Sequence, residues 1–368
     1  IVKNQIFADV EVGTFLSGGI DSSLITAIAQ EVSSKKVKTF CIGNEDQSHD
    51  ESKYAGNVAK HLSTDHEQLI LNEKSIINEI PSIVSKLNEP MGDSSFIPAY
   101  YASKLAQKKV KVVLTGDAGD EIFGGYNRYT KINYVTKLHR LPKSLKKLIS
   151  YCLSNLGEKN INRIDTIAKI LPFFKKQFYL NDKIKKLLDR IDPNLSLSDF
   201  IFNFFLNKCE YNLLNNSDAF SKEKIFSVFN KQFSDKQLDS LTLEEKLMFM
   251  DTINYLPNDI LFKVDRASMA NSVETRAPFL DKDLYEFSKG LSLEKKIKNS
   301  KGKIILRDLL KRKIPNHLID RPKAGFSIPI GSWLRKPLLD WSENLLCKKN
   351  IEKSGLLNFE HINKIWTD

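Results

Sequence analysis

Apolar and polar positions alternate in two different periods over residues 1–130. Short apolar runs predict buried strands at residues 11–16, 37–42, 66–71 and 110–114. Apolar positions at helical spacing predict helices that begin near residue 21 and that cover residues 51–62, 73–87 and 97–107. Strands that alternate with helices are typical of an α/β fold, in which a parallel sheet carries helices on both faces. Ligands of such sheets bind beyond the C-terminal ends of the strands.

The remainder of the chain has a different pattern. Residues 131–240 are rich in Lys, Phe, Leu and Asn, with helical periodicity over 138–148 and 173–188 and a core-like aromatic cluster at 200–205. Residues 241–368 again contain glycine, proline and clustered charges between apolar positions. We therefore expect an α/β core (1–130), a helical insertion (131–240) and a further helical region (241–368).

The junction FLSGGIDSS, between the first strand and the first long helix, predicts an anion site. Gly18 and Gly19 allow the backbone to approach a bound group, and a helix N-terminus offers unpaired N–H donors with a partial positive charge. Ser17 and Ser22 flank the turn, and Asp21 suits a phosphate only if Mg²⁺ lies between the two. The structural alternative is a strand–turn–helix junction with an Asp/Ser cap. The Walker and dinucleotide patterns are absent.

A second loop, TGDAGDEIFGGY, follows the 110–114 strand. It places three acids, Asp117, Asp120 and Glu121, among four glycines. A solvated acidic loop would account for the three acids, but it would not account for the glycines between them. A calcium loop is a further alternative, but the residue spacing of an EF-hand is absent. Since the C-terminal ends of parallel strands meet at one sheet edge, this acid-rich loop is predicted to face the SGGID turn, share Mg²⁺ with Asp21 and orient phosphates.

The C-terminal third carries two further candidates. Five charges alternate among apolar residues, and they fit a buried ion-pair network as well as a ligand site: Asp265, Arg266, Glu274, Arg276 and Asp281. Lys301-Gly302-Lys303 then opens a helix, with Arg307 one turn beyond Lys303, a spacing that suits a polyanion. A Pro/Gly loop at 321–330 carries Lys323.

Composition narrows the class of protein. The 41% hydrophobic content is ordinary for a globular protein, and no apolar run approaches the ~18 residues of a membrane span. No signal-peptide pattern precedes the first strand. The four cysteines form no C-x-x-C pair, and this wide spacing suits a protein of the reducing cytoplasm. They are Cys41, Cys152, Cys209 and Cys347. The net charge of +11 comes mostly from scattered lysines, so we attribute it to a solvated surface rather than to nucleic-acid binding.

The ordered motifs resemble the synthetase domain of the glutamine-hydrolysing asparagine synthetases, in the ATP pyrophosphatase (PP-loop) superfamily. They read DVEVGTFLSGGIDSS, FCIG, LTGDAGDEIFGGYNRY, DRASMANSVETRAPFLD, KGKIILRDLL and RPKAGFSIPIGSWL. The resemblance implies an adenine nucleotide alpha hydrolase-like fold. It also implies an ATP-dependent amidation of aspartate to asparagine through β-aspartyl-AMP, with release of AMP and pyrophosphate. Nitrogen would come from glutamine or from ammonia.

The resemblance also implies roles for single residues. The loop from Ser17 to Ser22 would hold the pyrophosphate, with Mg²⁺ on Asp21 and Asp120. Asp117 would take part in forming and using the intermediate, and Lys303 would neutralise the phosphates. Arg276 and the stretch 93–95 are weaker candidates for the substrate pocket. The residues that would border the nucleotide are Leu16, Ser17, Gly18, Gly19, Ser22, Ile42, Gly43, Thr115 and Gly116.

Three departures from the family pattern stand out. Ala118 replaces a common glycine, and Asp117 replaces a glutamate of many members. The chain also begins at Ile1 without the N-terminal cysteine of a glutaminase domain, so we expect a fragment of a longer protein or, failing that, dependence on free ammonia or on a separate glutaminase. The family allows a homodimer and assigns the completion of the active site to residues 241–368.

Three alternative functions stay open. A β-lactam synthetase-like enzyme or a polysaccharide-locus amidotransferase would use the same AMP-forming scaffold with another acid or nucleophile. An RNA-modifying PP-loop enzyme is typically equipped with paired cysteines, which this sequence lacks. A non-catalytic nucleotide-binding protein would not need the acids, the lysine and the glycines of the motifs together.

Overall fold

The computed structural model describes residues 1–44, 50–154, 213–215, 227–228, 231, 236–319, 328 and 330–367. Among them, five parallel strands form one sheet in the order β3-β2-β1-β4-β5. The strands are β1 (Val12–Phe15), β2 (Lys38–Asn44), β3 (Asp65–Leu71), β4 (Val112–Leu114) and β5 (Glu274–Arg276). A separate antiparallel hairpin joins β6 (Ile297–Lys298) and β7 (Lys301–Gly302). The α/β prediction is confirmed.

Helices flank the sheet and dominate the C-terminal region. In chain order they are α1 (Val2–Ile6), α2 (Ile20–Val32), α3 (Ser52–Leu62), α4 (Glu73–Val84), α5 (Phe96–Ala106), α6 (Gly119–Phe123), α7 (Asn127–His139), α8 (Lys143–Ser154), α9 (Leu243–Met250), α10 (Phe262–Met269), α11 (Lys282–Lys289), α12 (Leu293–Lys296), α13 (Ile304–Leu310), α14 (Asn316–Ile319), α15 (Ile330–Leu334), α16 (Leu339–Leu346), α17 (Lys348–Ser354) and α18 (Phe359–Thr367). Short 3₁₀ turns cover Lys236–Leu238 and Pro278–Leu280. None of these described helices has the length and apolar content to cross a bilayer.

Strand β1 lies at the centre of the sheet and fixes the position of a ligand crevice. Phe15 of β1 pairs with Phe40 of β2 on one side, and Thr14 pairs with Leu114 of β4 on the other. The chain therefore runs outward from β1 through β2 to β3, then returns across β1 to β4. In open parallel sheets, a reversal of strand order opens a crevice between the C-terminal ends of the two strands.

Two apolar clusters cover the two faces of the sheet. Cys41 and Leu114 point into a cluster with α2, α3 and α13, whereas Phe40, Ile42 and Val113 point into a cluster with α4, α5 and α10. Because successive residues of a strand face opposite sides, the near-continuous apolar strands supply both layers at once. This two-sided burial explains the apolar runs found in the sequence.

A π-helical segment, Asp251–Leu261, runs directly into α10. Pro257 lies inside it, and a proline removes one helical N–H donor and crowds the preceding turn. Wider π-type turns accommodate such an interruption and are frequent at functional sites.

Some boundaries and elements differ from the sequence predictions. Strand β5 was not predicted, because its three residues Glu-Thr-Arg lack an apolar run. The helix expected over 138–148 is divided: α7 ends at His139, and α8 begins at Lys143 after Pro142. The predictions for 173–188, 200–205 and most of 321–330 lie outside the described residues.

The chain separates into two compact units. One contains Ile1–Thr130 and Glu244–Leu345, and the other contains Lys131–Leu243 and Leu346–Asp368. Within the second unit, the Asn358 N–H donates to the Leu213 carbonyl at 2.8 Å. The expected division into residues 1–130, 131–240 and 241–368 stays a prediction. It assigns 131–240 the role of an insertion and 241–368 the completion of the active site, and the two compact units do not test these roles.

The charges between residues 265 and 281 serve local structure. Arg276 of β5 donates to the carbonyl oxygens of Gln5 at 2.8 Å and Phe7 at 3.3 Å, and thereby ties the N-terminal segment to the sheet edge. The Asp281 carboxylate caps α11 by accepting from two backbone N–H groups. Arg266 pairs with neighbouring Asp265 at 3.4 Å.

Arg276→Met is expected to lower the free energy of unfolding by about 1–3 kcal/mol, because charge-assisted hydrogen bonds to two carbonyl oxygens are lost. Urea-induced unfolding measures the change. Arg266→Met is the matched control, since its more exposed pair should contribute less than about 1 kcal/mol. Equal losses in the two variants would contradict the anchoring role of Arg276.

Candidate active site

A cavity of about 710 Å³ opens beyond the C-terminal ends of β1 and β4, within the first unit. Its walls are the junction after β1, the loop after β4, part of β2, the π-helical segment and the β6–β7 hairpin. The crevice expected from the strand order is therefore present and large enough for a nucleotide-sized ligand.

The junction after β1 is held in a tight turn by its own small residues. Gly18 has φ +74°, and a Cβ there would come within 2.8 Å of the Tyr54 carbonyl carbon of α3. The Ser17 and Ser22 hydroxyls lie 3.0 Å apart, and the Gly19 N–H donates to Ser17 Oγ at 3.2 Å. The first turn of α2 consequently lines the cavity, where the positive end of the helix dipole favours an anion.

The loop after β4 packs directly on the junction. A Cβ on Gly116 would lie 2.9 Å from Asp21 Cβ, and one on Gly119 would lie 2.8 Å from Asp21 Cγ. Only glycine allows this approach without displacement of the carboxylate. Ala118, between them, has φ +71°, a left-handed conformation that costs an L-residue roughly 1–2 kcal/mol.

The β6–β7 hairpin brings the third segment. Its turn residues Asn299 and Ser300 have positive φ, as does Lys303 (φ 59°), which directly precedes α13. The Lys303 N–H donates to the Phe123 carbonyl at 3.0 Å. A Cβ on Gly302 would lie only 2.0 Å from the Gly124 carbonyl oxygen, so the two backbones are in direct contact.

These three segments join in one charge cluster, Asp21–Lys303–Asp120. Lys303 Nζ donates to Asp21 Oδ2 and lies 2.8 Å from Asp120 Oδ1. Burial disfavours the charged amine, but the two carboxylates outweigh that effect and raise the pKa of Lys303 above its usual value. The cluster therefore carries one net negative charge beside the N-terminus of α2.

Asp117 also lines the cavity, after β4. Burial raises its pKa above the usual value, and the Thr115 hydroxyl and the Lys263 ammonium oppose that effect. A carboxylate with a raised pKa is a better proton acceptor than an ordinary aspartate.

A second charged group lies elsewhere on the cavity wall. Lys263 Nζ is 2.6 Å from Asp93 Oδ2 and 3.9 Å from Asp259 Oδ1. Asp93 also accepts from the Ser95 N–H at 2.8 Å. Burial, reinforced by the nearby Asp93 charge, raises the pKa of Asp259 to about 6.

An arginine surrounded by aromatic rings supports this wall. The Arg128 guanidinium carbon lies 4.5 Å from the Tyr126 ring centre and 5.0 Å from that of Tyr255, both of which line the cavity. Asp251, at the start of the π-helical segment, pairs with Arg128 and accepts from the Tyr129 hydroxyl. Stacked cations and buried pairs of this kind fix the orientation of rings.

Most residues singled out from the sequence meet in the cavity wall. They are Leu16, Ser17, Gly18, Gly19, Asp21, Ser22, Ile42, Asp93, Ser95, Thr115, Gly116, Asp117, Asp120, Lys301, Gly302, Lys303 and Arg307. Gly43 lies outside the wall, where a Cβ would come within 2.4 Å of Ile70 Cδ1. Arg276 also lies outside it, at the sheet edge.

Sequence analysis missed Tyr126, Tyr255 and Lys263 as cavity residues. Tyr126 stood in the quoted motif GGYNRY, where an aromatic residue two positions before an arginine was an unused signal. Tyr255 lies in the π-helical segment and Lys263 lies in α10. No local sequence pattern predicts the geometry that brings these two elements to the cavity wall.

Gly302→Ala is expected to lower the free energy of unfolding by about 1–3 kcal/mol, because backbone atoms of Gly124 block the added methyl group. Gly92→Ala is the control, since a Cβ there meets no atom within 4 Å. Denaturant unfolding of both variants tests the contact. An unchanged free energy of unfolding in Gly302→Ala would mean that the two backbones are not in contact.

Asp259→Asn is expected to stabilise the protein at pH 7 but not at pH 4. The pKa of Asp259 is raised to about 6 from 3.8, so the folded state binds the proton more tightly and loses stability as pH rises between those values. The Asp259 side chain is 32% exposed, so solvent screening limits the gain to about 1 kcal/mol. Thermal unfolding at both pH values measures it, with exposed Asp265→Asn as control for net charge. A gain that does not change with pH would contradict this account.

Comparison with known proteins places the chain in a family. The asparagine synthase family model matches residues 1–368. The chain is 31% identical over 351 residues to asparagine synthetase [glutamine-hydrolyzing] 1 of Bacillus subtilis. The matched region covers 94% of the chain and 50% of that relative. A putative asparagine synthetase [glutamine-hydrolyzing] of Mycobacterium bovis is 30% identical over 353 residues, 93% of the chain and 48% of the relative.

A more distant relative has a different name. Amidase chyE of Penicillium rubens is 23% identical over 385 residues, which cover 97% of the chain and 55% of that protein. The chain spans about half the length of the curated relatives that it matches. Because the family model extends over all of its residues, the chain belongs to the asparagine synthase family.

Proposed function

We propose that this chain forms an amide from aspartate at the expense of ATP, through β-aspartyl-AMP, and releases AMP, pyrophosphate and asparagine. The observation that carries the proposal is the Asp21–Lys303–Asp120 cluster beside the N-terminus of α2. A helix N-terminus, two carboxylates and a buried lysine together suit a metal-bound triphosphate. Membership of the asparagine synthase family supports the same reaction class.

The nucleotide would lie across the ends of β1, β2 and β4. Its phosphates would face the turn from Ser17 to Ser22, beside the positive end of the α2 dipole. The apolar side chains of Leu16 and Ile42 line the same cavity and would border the adenosine. Gly43 would contribute through the packing of β2 rather than by contact.

Asp21 and Asp120 would hold the metal. The described residues contain no cluster of three or more His, Cys, Asp or Glu side chains suited to a metal ion. Mg²⁺ at a nucleotide site needs only one or two carboxylates in addition to phosphate oxygens and water, so this pair fits. When bound, Mg²⁺ neutralises charge on the pyrophosphate that departs. Lys303 would add a second positive charge at the phosphates.

Activation would join the acid to the α-phosphorus of ATP. A carboxylate oxygen of aspartate forms the new bond to phosphorus, while the bond from that phosphorus to the bridging oxygen breaks and pyrophosphate leaves. Lys263, paired with Asp93 on the cavity wall, is placed to orient the charged groups of the acid. The pocket must hold acid and nucleotide together, because the reaction depends on their alignment.

Amide formation would follow in the same cavity. The lone pair of ammonia attacks the acyl carbon, AMP leaves with the bonding electrons, and the nitrogen loses a proton. Asp117 lines the cavity, and the raised pKa of its carboxyl group suits it to accept that proton. The nitrogen would come from glutamine through a glutaminase domain, or from free ammonia. The homodimer and the cytoplasmic location stay predictions.

Another amide ligase on the same scaffold is the second candidate. The relative named amidase chyE favours it, because the family includes proteins whose names do not specify asparagine synthesis. A panel of acids discriminates the two: pyrophosphate release that depends on aspartate supports the first candidate, whereas release with a different acid supports the second.

The direct test measures AMP, pyrophosphate and asparagine from ATP, Mg²⁺, aspartate and ammonium chloride in one reaction. Asp21→Asn and Lys303→Met should each reduce AMP formation more than about 100-fold, because charge stabilisation at the phosphates is lost. Lys313→Met is the control: it removes a lysine that pairs with Glu31 outside the cavity and should retain activity. Full activity in either site variant would contradict the assignment.

A further inference from the structure

The Lys303 ammonium lies between the two carboxylates to which the proposed function assigns the metal. We infer that Lys303 takes the place of the divalent cation in the nucleotide-free protein, so that the cation binds only together with the triphosphate. This inference rests on the proposed function for the identity of the metal ligands. It adds an order of binding, in which free metal is excluded.

The distances leave no room for both cations. Lys303 Nζ donates to Asp21 Oδ2 and lies 2.8 Å from Asp120 Oδ1. Only 7% of the Lys303 side chain is exposed, against 15% for Asp21 and 22% for Asp120. Mg²⁺ requires oxygen ligands at about 2.0–2.1 Å in octahedral geometry. An ammonium nitrogen in contact with the same two oxygens blocks that geometry.

Charge explains why the lysine holds this position. Two carboxylates buried side by side repel each other, and one ammonium ion leaves the cluster with a single net negative charge. A free divalent cation must displace an ammonium group that would lose its ion pairs while buried, which is costly. A triphosphate supplies new anionic partners, so the ammonium can turn to the phosphates as the carboxylates take the metal.

The surroundings allow the side chain to turn while the backbone stays fixed. The Lys303 N–H bond to Phe123 and the contact of Gly302 with Gly124 hold the hairpin against the β4 loop. Gly125 provides the space, since a Cβ there would lie 2.1 Å from Lys303 Cε. The exchange therefore needs rotation about the flexible lysine side chain and no movement of the sheet.

The test is a Mn²⁺ titration of nucleotide-free protein, followed by the electron paramagnetic resonance signal of free Mn²⁺. Lys303→Met should bind Mn²⁺ at least 10-fold more tightly than the unaltered chain, because the two carboxylates lose their ammonium partner. The double variant Lys303→Met with Asp21→Asn should lose that gain. Lys313→Met, which removes a lysine paired with Glu31 outside the cavity, should bind Mn²⁺ like the unaltered chain.

A second measurement uses the unaltered chain alone and does not depend on the folding of a variant. With the Mn²⁺ bound by the analogue in the absence of protein subtracted, Mn²⁺ affinity of the protein should rise at least 10-fold when α,β-methylene-ATP is added, because the triphosphate draws the lysine away. Equal Mn²⁺ affinity with and without the analogue would overturn the inference, as would a Lys303→Met protein that folds but gains no affinity.

These results are separable from the proposed reaction. A gain of Mn²⁺ affinity in Lys303→Met supports the exchange even where the unaltered chain forms no asparagine. Asparagine formation by a chain that binds free Mn²⁺ tightly refutes the exchange and leaves the proposed reaction intact.

Discussion

The contact of one buried ammonium group with two carboxylates is the interaction on which the arrangement of the site depends. Lys303 and Asp21 are separated by 282 positions in the sequence. Asp120 comes from a third segment, after β4. Burial of each charge alone would be unfavourable, so the three segments satisfy their charges only when they come together. The fold is therefore coupled to the correct assembly of the site.

Small residues and strained backbone follow from that contact. The glycines at 116, 119 and 125 leave space for Asp21 and Lys303, because a Cβ at each would lie within 3 Å of one of those side chains. Ala118 and Lys303 themselves adopt positive φ. Conformations of this kind persist where the surrounding structure determines them and are concentrated at functional sites. Alanine rather than glycine at position 118 therefore adds strain to this left-handed turn.

Much of the fold could be predicted because its signals are local. The apolar runs predicted four of the strands, and the parallel arrangement then placed the two glycine-rich loops at one sheet edge. The same reasoning could not predict β5 or the position of Arg276 within it. A short polar strand has no apolar run of its own and forms only because it pairs with a neighbouring strand, here β4. It also missed Lys263 and Tyr255, because their positions depend on a π-helical segment and on packing far along the chain. The residue types of a site are evident locally, whereas the partners that orient them are not.

In the proposed reaction, a carboxylate oxygen of the acceptor acid attacks the α-phosphorus of ATP in this cavity. The most direct measurement follows ¹⁸O from aspartate labelled in its β-carboxylate into the products. AMP should acquire one ¹⁸O atom for each asparagine formed, because the bond between the acyl carbon and the shared oxygen breaks when ammonia attacks. AMP that carries no label from aspartate, and instead gains ¹⁸O from labelled water, would contradict the proposed reaction. It would show that water, not the acid, attacks the nucleotide.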